Sequence, residues 1–335
     1  MNRLDAIRRR MALLRTVRDF FEARDFEEVE TALLIEANAP EPHIDALAVD
    51  VRSGPATQRR YLRTSPELAL KRLLGRGLER GFEIARVFRD DEQGPQHRVE
   101  FTLLEWYRSA EDYTVLMEDC DALLAQCCRS LGVGPRVPGL HAPCDLDAGC
   151  ERLTMSEAFA RHAHLDLVPY LDGDGRGLRD AAQQAGVCLV PALRDDAAPD
   201  FEAVFFSIFL SAVEPELGRA RPTILYEWPA PLAALSRRKP SNPRVALRFE
   251  LYAGGLELAN AFDELTDPAE QTARFTQDRS ARQLDARDPY PLPDAFLSDL
   301  VRVQPCCGIA LGLERLLMLL HAESDLVDAA VPWAL

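Results

Sequence analysis

No apolar run in this chain is long enough to cross a bilayer, and the N-terminus lacks the charged-then-apolar layout of a secretory signal. Both absences lead us to expect a cytoplasmic protein with no membrane partner. Positive charge is scarce too: 39 Lys and Arg stand against 54 Asp and Glu, a formal net charge of -15. A polyanion such as tRNA or DNA finds little general attraction on such a surface. The eight cysteines contain no C-x-x-C pair, and Cys127–Cys128 and Cys306–Cys307 are adjacent, which argues against a zinc or disulfide framework. His141, Cys144 and Cys150 are conceivable as zinc ligands. Reduced thiols fit better, with Cys120, Cys127 and Cys128 at helical spacing in an apolar stretch. There is no internal repeat, no low-complexity tract, and no recognisable Ser-His-Asp or Cys-His set.

What is present, 335 residues with 47% hydrophobic and 28% charged, suits a soluble globular protein with ample core. Residues 4–24 carry an amphipathic helix pattern. Ile7, Met11, Leu14, Val17 and Phe21 share one face, and Arg8, Arg9, Arg10, Arg15 and Arg18 line the solvated remainder. From Tyr61 to Arg108 the order is strand, helix, strand, loop, strand. Ser65-Pro66-Glu67 is a helix start, with serine as cap, proline in the first turn and glutamate at the positive end of the dipole. Residues 132–200 change character, with prolines, glycines and acidic residues scattered among short helical stretches such as Met155 to Ala163. This reads as an insertion or small helical subdomain. From Thr223 strand patterning returns, so the class is α+β, with one mixed sheet assembled from distant segments.

Three segments carry chemistry. In FRDDEQGPQHRVEFTLLEWY, Phe88 to Tyr107, strand alternation puts Phe101, Leu103, Glu105 and Tyr107 on one face. A glutamate and a tyrosine among apolar neighbours suit an ammonium group. Arg89 sits at the mouth of the loop Asp90 to Arg98, where Gly94-Pro95 marks the turn and His97 and Arg98 are placed to reach phosphate oxygens. In GIALGLER, the period-two set Gly308, Ala310 and Gly312 leaves a strand face nearly bare for a flat ligand, and Arg315 falls at the start of the following helix. Close helix–strand packing would also account for the small residues. In RFELYAGGLELANAFDEL, a hairpin turning at Gly254-Gly255, Glu257 and Glu264 lie seven apart and suit a hard divalent cation, though an ordinary solvated pair would look the same in isolation.

In this order the segments resemble the catalytic domain of class II aminoacyl-tRNA synthetases, and within it the lysyl branch. FRDDE…HRVEFTLLEWY is similar to the second signature motif of the class, GIALGLER to the third, and VRDFFEARDFEEVETALL, Val17 to Leu34, to the dimer-forming first. The resemblance covers about Leu13–Arg129 and Phe201–Leu320. It implies a single catalytic domain over 1–335, a mostly antiparallel sheet flanked by helices, with 132–200 inserted. The first motif begins almost at Met1, leaving no room for an N-terminal anticodon-binding domain. That layout resembles the elongation factor P lysine ligases, truncated relatives that adenylate (R)-β-lysine and transfer it to a lysine of elongation factor P.

The resemblance implies ATP and Mg2+ as cofactors, a lysine-like substrate, elongation factor P as acceptor in place of tRNA, and a homodimer. It assigns Arg89 to the α-phosphate and Arg315 to the γ-phosphate as catalytic arginines. Asp90, Asp91, His97, Arg98, Glu257, Leu258 and Gly312 would complete the ATP site, and Glu257 and Glu264 the magnesium site. Ser65, Pro66, Glu67, Glu105, Tyr107, Asn260, Glu264 and Ala310 would form the amino-acid pocket, with Glu105 and Tyr107 on the side-chain ammonium. Departures from the family pattern are Asp90-Asp91 for Asn-Glu, Arg98 for the asparagine of His-Asn-Pro-Glu-Phe, Ala32 for a proline, and Ala261 and Ala310 for glycines. Two alternatives stay open: a ligase serving another acceptor (tRNA, a carrier protein or a small molecule), and a regulatory paralogue that binds ATP or an amino acid without catalysis.

Overall fold

The helix Arg3–Glu22 organises the first part of the chain. Leu13, Val17, Phe20 and Phe21 are buried along it, and Phe21 stacks on Phe82 with ring centroids 4.8 Å apart and meets Trp106 at 5.2 Å. The expected face is therefore turned: Val17 and Phe21 point inward as read, but Met11 is 50% exposed and Leu13 and Phe20 take the core positions. The aromatic pair at Phe20-Phe21 decides this, because its buried area outweighs that of a methionine. Nor are all the arginines solvated, since Arg10 is buried.

The computed structural model describes residues 3–92, 94–140, 143–194, 196–233 and 235–323. The chain divides into two units, Met1–Leu116 with Asp263–Leu335, and Met117–Phe262. In the first unit the strands run in the order Glu27–Glu28, Arg80–Phe88, Glu100–Ser109, Cys306–Gly312. The first pair is parallel and the others antiparallel. A smaller antiparallel sheet joins Leu34–Ile35, Ala56–Leu62 and Ala48–Ser53. Helices Glu67–Leu74, Pro268–Leu284, Asp294–Leu300 and Leu313–His321 belong to the same unit.

In the second unit Glu151–Thr154 pairs in parallel with Thr223–Pro229, which pairs antiparallel with Asn242–Ala253, and that strand with Leu256–Asp263. The hairpin turns at Gly254 and Gly255, whose φ of 60° and 86° is what a two-residue turn between twisted strands requires. Its core gathers Phe159, Phe205, Phe209, Trp228 and Tyr252. The helix beginning at Met155 is fixed by a capping box between Thr154 and Glu157 and passes into a π-helical turn, Phe159–Ala163. Cys120, Cys127 and Cys128 are buried on the helix Thr114–Leu131, as small hydrophobes. Of the conceivable zinc set, Cys144 is buried, Cys150 is half-buried, and His141 lies outside the described residues.

One buried network ties the first unit together. Arg10 Nη1 meets Glu314 Oε1 at 2.8 Å and Nη2 donates to Thr102 Oγ1 at 2.7 Å, while Thr102 N donates to Glu314 Oε2 at 2.9 Å. It links the first helix, a central strand and the helix after GIALG. Removing one partner of such a pair strands the other charge in the core. Glu314→Ala is therefore expected to cost about 3–5 kcal/mol in urea unfolding, and a loss below about 1 kcal/mol would show that Arg10 escapes to water.

Candidate active site

The register of three strands builds one face. Phe101, Leu103, Glu105 and Tyr107 stand opposite Val87, Ala85, Glu83 and Gly81 on one neighbour. On the other neighbour Gly312, Ala310 and Gly308 stand opposite Leu103, Glu105 and Tyr107. The alternation read from the sequence is thus the arrangement in the sheet. Ala85, Val87 and Leu103 form a small apolar floor against which Phe101 and Ala310 pack.

At one end of this face lies a buried polar pocket. Ser65 Oγ donates to Glu105 Oε1 at 2.7 Å, and the Tyr107 hydroxyl donates to Glu105 Oε2 at 3.3 Å. Ser65 Oγ also accepts from Glu67 N at 2.9 Å, so the serine braces the helix start and orients a carboxylate at once. Pro66 occupies the N-cap position without a side-chain bond. Burial, reinforced by nearby Glu67 and Glu83, pushes Glu105 up to about 8 against the pull of the Ser65 and Tyr107 hydrogen bonds. Burial and the neighbouring Glu105 also carry Tyr107 well above the usual tyrosine range.

Lys71, one turn beyond Glu67, is fully buried and forms ion pairs with Glu67 and with Glu264 Oε2, the latter at 2.5 Å. Burial opposes its charge, but the two carboxylates outweigh it and raise the ammonium above the usual lysine range. Glu264 Oε1 is buried without a hydrogen-bond partner among the described residues. A Cβ built on Gly308 would lie 2.1 Å from the Tyr107 ring and 2.6 Å from that oxygen, so only glycine lets these groups share the space. Behind them Arg63 meets Glu83 at 2.7 Å, with the Thr31 hydroxyl donating to Glu83 at 2.8 Å. A cavity of about 470 Å3 opens beside Ser65, Pro66 and Glu67, bounded also by Thr31, Asn38 and Phe296.

The strand–loop–strand segment supplies the cations. Arg89 N donates to Val99 O at 2.9 Å, closing the loop, and the Arg89 guanidinium lies 5.1 Å over Phe101. Its Nε is buried without a partner among the described residues, a donor left open to an acceptor. Arg315 Nη2 stands 2.7 Å from His97 Nε2. Because a guanidinium can only donate, His97 Nε2 accepts and its proton sits on Nδ1. Arg98 turns onto the carbonyls of Gly94 and His97, where it stiffens the loop. Asp90 receives the Asp91 N–H at 3.0 Å, and Asp91 is exposed with a left-handed φ of 58° that aspartate tolerates. Gly312 opens the helix Leu313–His321.

The remaining expected residues lie in the second unit. Leu258 is buried on the strand Leu256–Asp263, Glu257 stands across from Tyr252, and Asn260 Oδ1 accepts from Arg248 Nε at 3.2 Å. Of the two carboxylates expected to hold magnesium, Glu257 lies on this strand and Glu264 just beyond its end. Glu264 is enclosed, with Lys71 on one oxygen. Among the described residues no group of three or more His, Cys, Asp and Glu side chains is placed to hold a metal ion.

Lys71, Arg63 and Glu83 were not found from the sequence. Only Lys71 left a local signal, four residues after Glu67 on a helix. The crowding at Gly308 makes a direct test. Gly308→Ala is expected to lose about 1–3 kcal/mol of stability and to abolish amine binding in calorimetric titration, and unchanged binding would mean that Tyr107 and Glu264 do not share a ligand.

Residues 2–331 match the family model for tRNA synthetases class II (D, K and N). The chain is 35% identical over 329 residues to the elongation factor P–(R)-β-lysine ligase of Vibrio cholerae serotype O1, covering 96% of this chain and 93% of that one. It is 36% identical over 325 residues to the ligases of the same name from Salmonella dublin and Salmonella arizonae, at 96% and 92% coverage. Sheet register and glycine-bared strand therefore coincide with near full-length similarity, and the chain belongs to the class II (D, K and N) tRNA synthetase family, on the branch of the elongation factor P–(R)-β-lysine ligases.

Proposed function

We propose that the protein joins a lysine-like diamino acid, (R)-β-lysine, to AMP at the expense of ATP and passes the aminoacyl group to a lysine side chain of elongation factor P. Substrate and acceptor are those in the names of its relatives. The observation that carries the reading is a surplus of buried carboxylates. Among the described residues Glu83, Glu105 and Glu264, all buried, and the largely enclosed Glu67 share the site with two cations, Arg63 and Lys71. Full ionisation would leave two negative charges, and a buried charge without a partner is strongly disfavoured. An amino acid with two ammonium groups answers both. One with a neutral side chain would leave a carboxylate uncompensated.

In the first step a carboxylate oxygen of the amino acid bonds to the α-phosphorus, the bond to the β-phosphate oxygen breaks, and pyrophosphate leaves. Arg89 stabilises charge at the α-phosphate, with Arg315 and His97 on the outgoing phosphates. Ser65, Glu105 and Tyr107 hold the side-chain ammonium, and the apolar floor of Ala85, Val87 and Leu103 carries the flat part of the nucleotide. In the second step a neutral acceptor amine attacks the carbonyl carbon, the bond to AMP breaks, and the amine loses a proton. No enzyme nucleophile is required. Placing both reactants in one site supplies much of the acceleration.

ATP–pyrophosphate exchange tests the reading. Exchange should depend on (R)-β-lysine and fall by at least about a hundredfold in Arg89→Ala. Exchange that needs no amino acid, or a fully active Arg89→Ala, would refute it.

Glu105 adds a pH dependence. With its folded value at about 8 it carries a proton at pH 7, whereas an ammonium partner favours the carboxylate. Binding should then expel a proton, and affinity should rise as pH climbs towards 8. Calorimetry in two buffers of different ionisation enthalpy should show release of about one proton at pH 7, absent in Glu105→Gln. Equal release by both proteins would remove Glu105 from the ammonium site.

A further inference from the structure

Lys71 belongs to no part of the chemistry described so far, yet it touches both segments that face the amine. It sits on the helix Glu67–Leu74, fully enclosed, with Nζ paired to Glu67 and to Glu264 Oε2. Those carboxylates come from positions almost two hundred residues apart in the chain, and both carry the same charge. Left to themselves they would separate. One ammonium between them draws each to a fixed place and takes one oxygen of Glu264, leaving Oε1 facing the space kept open by Gly308.

We propose that Lys71 is a positioning residue that fixes Glu67 and Glu264 as the seat for one of the substrate's two ammonium groups, while Ser65, Glu105 and Tyr107 hold the other. Lys71 therefore makes the site selective for diamines: it neutralises one carboxylate permanently and reserves the surplus for two ligand charges. A purely structural brace would tie the helix to the Glu264 segment and nothing more. The two roles differ in what happens to ligand affinity when the charge is removed and the shape is kept. This inference deepens the proposed function and rests on its account of the amine pocket.

The test uses full-length protein and two readouts. The first is thermal stabilisation by 1,5-diaminopentane and by lysine, which needs no catalysis. The second is the KM for amino acid and for ATP in pyrophosphate exchange. Lys71→Met should cut the diamine-induced shift sharply and raise the amino-acid KM at least about tenfold, with the ATP KM within about threefold of wild type. Because Lys71→Met strands the buried Glu264 and the largely enclosed Glu67 and can unfold the chain, Lys71→Ala is examined alongside it in propylammonium, whose alkyl chain and charge replace those removed. Recovery of exchange with propylammonium, and none with tetramethylammonium, is expected. Unchanged diamine stabilisation in Lys71→Met, an equal rise in both KM values, or a folded Lys71→Ala that propylammonium fails to restore would each overturn the role. Should wild type be stabilised by diamines yet exchange with none of the amino acids, the ligase reading fails and the positioning role stands. Should diamines leave wild type unmoved, the positioning role fails.

Discussion

Carboxylates withheld from water, on the face shared by Glu105, Tyr107 and Gly308, set the terms for the structure around them. Moving an ionised carboxylate into a protein interior is costly unless cations and donors replace the lost water. Here the replacement is partial. Arg63 answers Glu83 and also donates to Arg86 O at 2.9 Å, so that pair is closed. Lys71 is divided between Glu67 and Glu264. Among the described residues Glu105 receives hydrogen bonds from hydroxyls alone, and burial drives its proton affinity up. A site in this condition gains more from an ammonium ligand than a fully paired one could. The surrounding sheet holds the groups in place against their repulsion, which is the part played by enclosed packing such as Phe21 on Phe82 and by the Arg10–Glu314–Thr102 network.

The segment to which the proposal gives the nucleotide follows the opposite logic. Its cations are half-buried and held by few strong contacts: Arg89 keeps Glu92 at 3.7 Å, and Arg315 stands 2.7 Å from His97. Such contacts are weak in water and easily exchanged for phosphate oxygens. A tight grip there would have to be broken in every catalytic cycle. Arg98, which stands where the family has asparagine, spends its donors on loop carbonyls and so shapes the loop that presents His97.

Much of this was legible because local periodicity fixed it. Side-chain alternation alone placed Phe101, Leu103, Glu105 and Tyr107 together, and the same rule applied to Gly308, Ala310 and Gly312. The turn at Gly254-Gly255 required nothing beyond glycine's tolerance of positive φ. What escaped was long-range pairing. Arg10 looked like one of several solvated arginines, and only the fold shows it reaching Glu314. The spacing of Glu264 from Glu257 likewise says nothing of a lysine arriving from residue 71. Ser65 was ambiguous between cap and ligand for a physical reason: its hydroxyl donates to Glu105 and accepts from Glu67 N at the same time.

The sequence contains its own control for the ammonium reading, because Glu-x-Tyr occurs on two strands. At Glu250 and Tyr252 the tyrosine hydroxyl again donates to the glutamate, and burial again raises the carboxyl, to about 7. There the strand supplies its own cation: Arg248 meets Glu250 at 2.6 Å, stacks 4.2 Å from Trp228 and donates to Leu232 O at 2.8 Å. Two residues before Glu105, the place of that arginine is taken by Leu103, part of the apolar floor. The pairs thus share backbone geometry, tyrosine and burial, and differ in whether the cation is built in. Where it is, the triad is closed and serves packing. Where it is not, burial raises the carboxyl and an ammonium from outside would close the triad in the arginine's place, and on that difference, more than on the glutamate and tyrosine themselves, rests the role proposed for Glu105.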